Sequence, residues 1–83
     1  MDKKELFDTI KDYFVNQFEV PEEIITLKAH LKDDLGLDSI DALDMIGMLE
    51  AKLNIEIDGD ELKQIRTVED VVEYIYKKIQ EIK

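Results

Sequence analysis

The chain has 83 residues, no cysteine, and a formal charge of −10 from 21 acidic and 11 basic residues. That length leaves room for one domain with a single core, and the lack of thiols excludes a disulfide staple, a cysteine nucleophile and a thiolate zinc site. A hydrophobic fraction of 45% argues against disorder, and the acidic balance disfavours nucleic-acid phosphates and anionic membrane surfaces as partners.

A first helix is predicted over residues 3–17. Asp2 and Glu5 stand as N-cap and N3 residues of an acidic capping box, and Leu6, Ile10, Phe14 and Phe18, with Phe7 beside them, repeat every four residues as a core-facing stripe. Pro21 lacks a backbone N–H and restrains Val20, so it is expected to stop the helix. Residues 21–37 form a long connection in which Ile24, Ile25, Leu27, Leu31 and Leu35 show no sustained period. A structureless loop of that length is unusual in so small a domain, and a short helical turn that packs these side chains onto the bundle is expected. His30 has no second histidine and no cysteine to join it, which makes it a surface or packing residue in preference to a catalyst or metal ligand.

Gly36 permits a backbone turn, and after it Ile40, Leu43, Ile46, Leu49 and Leu53 recur at helical spacing. A second helix is therefore predicted over residues 39–53, capped by Asp38, with Asp41 and Asp44 near its positive end. Ser39, the only serine of the chain, falls in the first turn, where its side chain is expected to point outward. Leu43, Ile46, Leu49 and Leu53 are expected inward, and Ile40, Met45 and Met48 partly exposed. Gly47 interrupts the helix interior and leaves a smooth spot on its face. Residues 54–59 read as a break with Gly59 as turn residue; their EF-hand-like spacing fails because Ile65 stands where a bidentate glutamate is required. A short third helix over residues 60–64 should bury Leu62 and Ile65. The last helix begins at Thr67, with Asp70 completing a capping box, and presents Val68, Val71, Val72, Ile75, Tyr76, Ile79 and Ile82 on one face, with Lys77, Lys78 and Lys83 suited to its negative end.

The charge is unevenly spread. Residues 1–32 carry seven acids and five bases, residues 62–83 four acids and five bases, and residues 33–61 ten acids and one base, so nearly the whole excess surrounds Ser39 and the helix after it. Such a field steers basic protein surfaces toward that segment. No Gly-rich phosphate loop is present, and a triad of Ser39, His30 and an aspartate has neither the spacing of a nucleophile elbow nor room for a cleft. No apolar run is long enough to span a bilayer and the first residues do not resemble a secretory leader, so a cytoplasmic protein is expected.

The run Leu35-Gly36-Leu37-Asp38-Ser39-Ile40-Asp41 closely resembles the modification site of acyl carrier proteins, and the resemblance extends over residues 2–82 without a large insertion. It implies an all-α fold, a small four-helix bundle with a long loop between helices I and II and a short helix III, forming one acyl-carrier-like domain over residues 1–83. In that family the serine matching Ser39 carries 4′-phosphopantetheine through a phosphodiester, and the arm's thiol holds acyl groups as thioesters. The chain itself would then be no enzyme and hold no metal. It would act as a monomer, loaded by a phosphopantetheinyl transferase and serving synthase and acyl-transfer enzymes that dock through basic surfaces on Asp38, Ile40, Asp41, Asp44, Met45, Met48 and Glu50. Leu49, Ile65, Val71 and Ile75 are the candidates for lining an acyl pocket. Fatty-acid biosynthesis is the expected pathway. Carriage of polyketide, specialised lipid or aminoacyl groups is the alternative, as is an unmodified helical adaptor for basic proteins. The chain departs from the family pattern at Ile40, where leucine is commonest, at Gly47, where a larger apolar residue is typical, and at Ala51 and Lys52, where acids are.

Overall fold

Asp2, in extended conformation, accepts the Glu5 N–H at 2.8 Å and so fills one of the four amides that a helix start leaves unpaired. Helix α1 (Lys3–Phe18) follows, with Leu6, Ile10 and Phe14 completely buried and Phe7 and Phe18 half-buried beside them. The structure, a computed structural model, describes residues 2–58 and 60–82, the side chains of Ser39, Leu62, Lys63 and Ile82 excepted. The turn expected of Gly59, the burial of Leu62, the facing of Ile82 and the place of Lys83 lie outside the described residues.

Pro21 is not what ends α1. Glu19 adopts a left-handed conformation (φ 56°), and its N–H and that of Val20, at 3.3 Å, close on the Phe14 carbonyl. Two of the carbonyl's lone-pair positions are thereby filled and the chain leaves the helix before the proline is reached. Pro21 (φ −59°) instead leads into a 3-10 turn, Glu22–Ile24.

The long connection is tied by its backbone to the start of α3 (Val68–Ile82). Leu31 donates to the Arg66 carbonyl at 2.9 Å, Val68 to Ala29 at 3.0 Å and Glu69 to Leu27 at 2.8 Å, while His30 and Thr67 form an isolated antiparallel bridge. The first amides of α3, orphaned in an isolated helix, are thus satisfied by the loop, which holds a long segment without needing its own regular structure. Ile25, Ala29, Leu31, Leu35 and Leu37 are buried. Ile24 and Leu27 are exposed, contrary to expectation: Ile25 takes the core position next to Ile24, and Leu27 is a central residue of the turn closed by the Ala29 N–H on the Thr26 carbonyl at 3.1 Å, where side chains project away from the chain's own fold.

Helix α2 (Ser39–Leu53) contributes Met45, Ile46 and Leu49 to the core, and α3 contributes Val68, Val71, Val72 and Ile75. A capping box opens α3: Thr67 Oγ1 accepts the Asp70 N–H at 3.1 Å, and Asp70 Oδ2 accepts those of Thr67 at 3.2 Å and Arg66 at 3.0 Å. The predicted short third helix is a 3-10 turn, Glu61–Gln64. The described residues therefore hold three α-helices and two 3-10 turns and no strand, an all-α small helical bundle in which α1 packs along α3. Lys78 does not serve the end of α3 as expected; its ammonium meets Glu61 at 3.5 Å and Glu81 at 3.9 Å and lies 5.5 Å from the Tyr74 ring centroid.

Candidate functional site

The approach to α2 is built by a tight turn. Asp34 and Leu35 donate to the His30 carbonyl at 2.9 and 3.1 Å, and the Asp34 carboxylate accepts the His30 N–H at 2.7 Å. Gly36 ends the turn at φ 71°, a conformation that side chains with a Cβ adopt at a cost. Leu37 then buries its side chain and donates to the Leu31 carbonyl at 2.8 Å, which fixes where α2 begins. His30 is exposed and acts here through its backbone.

Asp38, extended at φ −95° and ψ −172°, is the N-cap. Its Oδ1 accepts from Ile40 at 2.9 Å and Asp41 at 3.0 Å, and Asp41 Oδ2 accepts the Asp38 N–H at 3.3 Å, a reciprocal capping box. Ser39 is therefore the first helical residue; the outward direction expected of its side chain lies outside the described residues. Because Asp38 already occupies the Ile40 and Asp41 amides, the helix start offers those two donors to no incoming anion. A phosphodiester on residue 39 would fit this arrangement as a group held by its covalent bond and not cradled by those two amides. Among the described residues, no ion pair neutralises Asp38, Asp41 or Asp44.

The outer face of α2 differs from the expected one. Ile40 is 69% and Leu43 56% exposed, whereas Met45 is 1% exposed. Met45, a docking candidate expected to be partly exposed, is therefore buried, and Leu43, expected inward, is exposed. The buried arc of α2 is made by Met45, Ile46 and Leu49; at 100° per residue Leu43 lies about 110° from its centre and Ile40 farther still. Counting back by threes from Leu49 through Ile46 to Leu43 drifts out of the core. Ile40, Leu43, Asp44, Gly47 and Ala51, all exposed, make one continuous stripe. Sequence reasoning missed Leu43, although centring the helix on its densest apolar arc would have found it.

Of the remaining docking candidates, Asp38 and Asp44 are exposed, Asp41 and Met48 are half-buried, and half-buried Glu50 uses its carboxylate to accept the Ile57 N–H at 3.2 Å. Burial first, then the neighbouring charges of Asp44 and Asp41, push the Tyr13 hydroxyl of α1 above its ordinary pKa, so the acidic field reaches across to α1. Leu49, Val71 and Ile75 are completely buried and Ile65 half-buried at the edge of the same core. An open cleft of about 510 Å³ lies elsewhere, between α1 and α2, where Tyr13, Asn16, Met48 and Ala51 are among its walls.

Gly47 supports the smooth stripe without needing to be glycine: a Cβ placed there meets nothing within 4 Å. Gly47→Ala is expected to raise stability by about 0.5–1 kcal/mol through helix propensity, read as a higher midpoint in thermal or urea unfolding. An unchanged or lower midpoint would refute that account of the position.

The geometry agrees with what the chain is similar to. A family model described as "Phosphopantetheine attachment site" matches residues 8–75. The acyl carrier protein of Phytoplasma australiense is 43% identical over 74 residues, covering 89% of this chain and 97% of that one. That of Lactobacillus acidophilus is 41% identical over 75 residues, covering 90% and 94%. The crystal structure of the Thermotoga maritima acyl carrier protein superposes with a TM-score of 0.88 at 28% identity, covering 100% of this chain and 96% of that one. The Enterococcus faecalis acyl carrier protein gives 0.77 at 28% identity, covering 94% and 99%. With a helical bundle, a capped α2 and these matches together, the chain belongs to the acyl carrier proteins, whose prosthetic group is 4′-phosphopantetheine.

Proposed function

We propose that Ser39 is the attachment point of the prosthetic arm and that the protein carries acyl groups for fatty-acid biosynthesis in the cytoplasm, as a substrate of other enzymes and not as a catalyst. The observation that carries this reading is the position of the chain's only serine at the first residue of α2, next to a cap made by other side chains. When attached, the arm supplies the thiol that a cysteine-free chain lacks and on which acyl groups are held as thioesters. The chain's own residues present that arm: Asp38 and Asp41 fix the helix start, and the unneutralised acids of α2 address a transferase or synthase with a basic surface. Ile40 and Leu43 add apolar contact beside those charges. The core residues Leu49, Ile65, Val71 and Ile75 are the candidates that would part to admit a short acyl chain. No helix among the described residues is long and apolar enough to cross a membrane, which is compatible with the cytoplasmic reading.

A fatty-acid role is supported by the relatives, which are carriers of nearly this length, since the match spans 97% of the Phytoplasma protein. A specialised acyl cargo is the second reading, favoured by Gly47, Ala51 and Lys52 on the outer part of α2, all exposed, which offer docking enzymes a less acidic surface than the family pattern. The test is co-expression with a phosphopantetheinyl transferase: the protein is expected to gain the mass of one phosphopantetheine, located on Ser39 by fragmentation. Loading should slow as salt rises, because exposed charges more than about 8–10 Å apart are screened at physiological ionic strength. A wild-type chain left unmodified where a control carrier is loaded would overturn the proposal. Transfer of fatty-acid, aminoacyl or polyketide units by the respective activating enzymes then decides the cargo.

A further inference from the structure

Glu50 gathers the chain where it leaves α2. Its backbone carbonyl accepts the N–H of Asn54, the left-handed residue at φ 54° that ends the helix, and that of Ile55 at 3.2 Å. Its carboxylate Oε2 accepts the N–H of Ile57, also at 3.2 Å. Three of the first four amides beyond the helix thus converge on one residue. The segment they hold matters to the core, because Ile55 is buried and Ile57 half-buried against it. The same glutamate is only half-buried. Three and four residues along the helix from Gly47 and Ile46, it borders the exposed stripe of Leu43, Gly47 and Ala51.

We infer that Glu50 couples docking on α2 to the hold on residues 55–57: the Ile57 N–H and a guanidinium of a docked partner compete for one carboxylate. The inference rests on the reading that basic partners dock along α2. A bidentate arginine takes up both carboxylate oxygens in the plane of its fork, and one of them, Oε2, is the acceptor that holds the Ile57 N–H at 3.2 Å. Docking through Glu50 therefore frees Ile57 from the end of α2 and loosens the cover that Ile55 and Ile57 give the core. Linkage makes the effect reciprocal, so that a chain already lacking the Ile57 bond loses this step of the response.

Amide exchange followed by NMR on the full chain tests this in two stages. In the free protein, Glu50→Ala is expected to speed exchange of the Ile57 amide about tenfold, with a smaller effect at Ile55, whose acceptor is a backbone carbonyl, and none at Phe14 or Val72. Glu50→Gln, which keeps an acceptor oxygen without the charge, should fall between. On adding a phosphopantetheinyl transferase at low salt and without coenzyme A, so that no loading occurs, Ile57 of the wild type should accelerate toward the rate of Glu50→Ala, and that variant should accelerate no further. Asp44→Asn should weaken transferase binding yet leave Ile57 of the free protein unchanged. Ile57 exchange that is insensitive to Glu50→Ala, or that slows when the transferase binds, overturns the inference. Failure of the transferase to associate overturns the docking reading and the coupling with it, whereas failure of Ser39 to be loaded despite association overturns the assignment of the attachment point alone.

Discussion

Ser39→Ala is expected to abolish loading outright: intact-mass measurement after incubation with a transferase and coenzyme A should show the unmodified chain only, with less than one part in a hundred shifted under conditions that convert the wild type fully. The size of the effect follows from the chemistry. A phosphodiester needs an alkyl oxygen at the attachment point, and this chain has no second serine to substitute for it. Its threonines at positions 9, 26 and 67 do not lie at the start of α2. The same variant should leave the fold intact, with an unfolding midpoint that corresponds to a change within about 0.5 kcal/mol. The Ile40 and Asp41 amides are bonded to Asp38, and the reciprocal bond comes from Asp41, so these capping bonds are made by side chains other than that of residue 39. Alanine is also the best helix former. A folded, unloaded Ser39→Ala protein assigns the site; continued loading would move it elsewhere, and unfolding would show that the cap depends on the serine.

The order of helices was legible in the sequence where one face of an element meets the core and the other meets water. In α1 the four-residue repeat of Leu6, Ile10 and Phe14 identifies the buried face, and in α3 the Thr67 and Asp70 pair marks the first turn before any contact is known. Helix α2 defeated the same reasoning because it is apolar on two sides. Met45 lies in the core while Ile40 and Leu43 lie in solvent, and a period alone does not tell which apolar arc is inside when both are populated. That second arc is itself informative: large exposed apolar residues among unneutralised acids are what an interaction face requires.

Long-range backbone pairing was the other feature out of reach. Sequence composition requires that the 21–37 segment satisfy its polar groups somewhere, but says nothing of the Ala29 and Leu27 carbonyls accepting from Val68 and Glu69. Glu50 illustrates the same limit at shorter range. Its acidity placed it in a docking set, whereas its bond to Ile57 spans seven residues through the left-handed Asn54, a path that no helical or strand period encodes. The end of α1 was placed to within one residue but its stop signal was misassigned for a related reason, since a left-handed glutamate is less expected than a proline in that role.

Phe14→Ala should have the largest effect on stability, a loss of about 3–5 kcal/mol. For a domain of this size the total is roughly 4–12 kcal/mol, so the variant should be partly unfolded at 37 °C, with a melting midpoint lowered by 12 °C or more at about 4–8 °C per kcal/mol. Three observations make Phe14 the most sensitive position. It is the largest of the completely buried side chains, so truncation leaves the largest void. It also joins Tyr13 and Phe18 in a ring cluster with centroid distances of 6.3 and 6.3 Å, closed by the edge-on Tyr13–Phe18 pair at 5.6 Å, and such pairs add to the area term. Finally, α1 packs along α3, and Phe14 belongs to the α1 stripe that joins the common core. Urea unfolding followed by circular dichroism measures the change. A loss below about 1 kcal/mol would mean that the Phe14 site collapses on truncation, and the stripe of α1 would then not be the element that holds the three helices together.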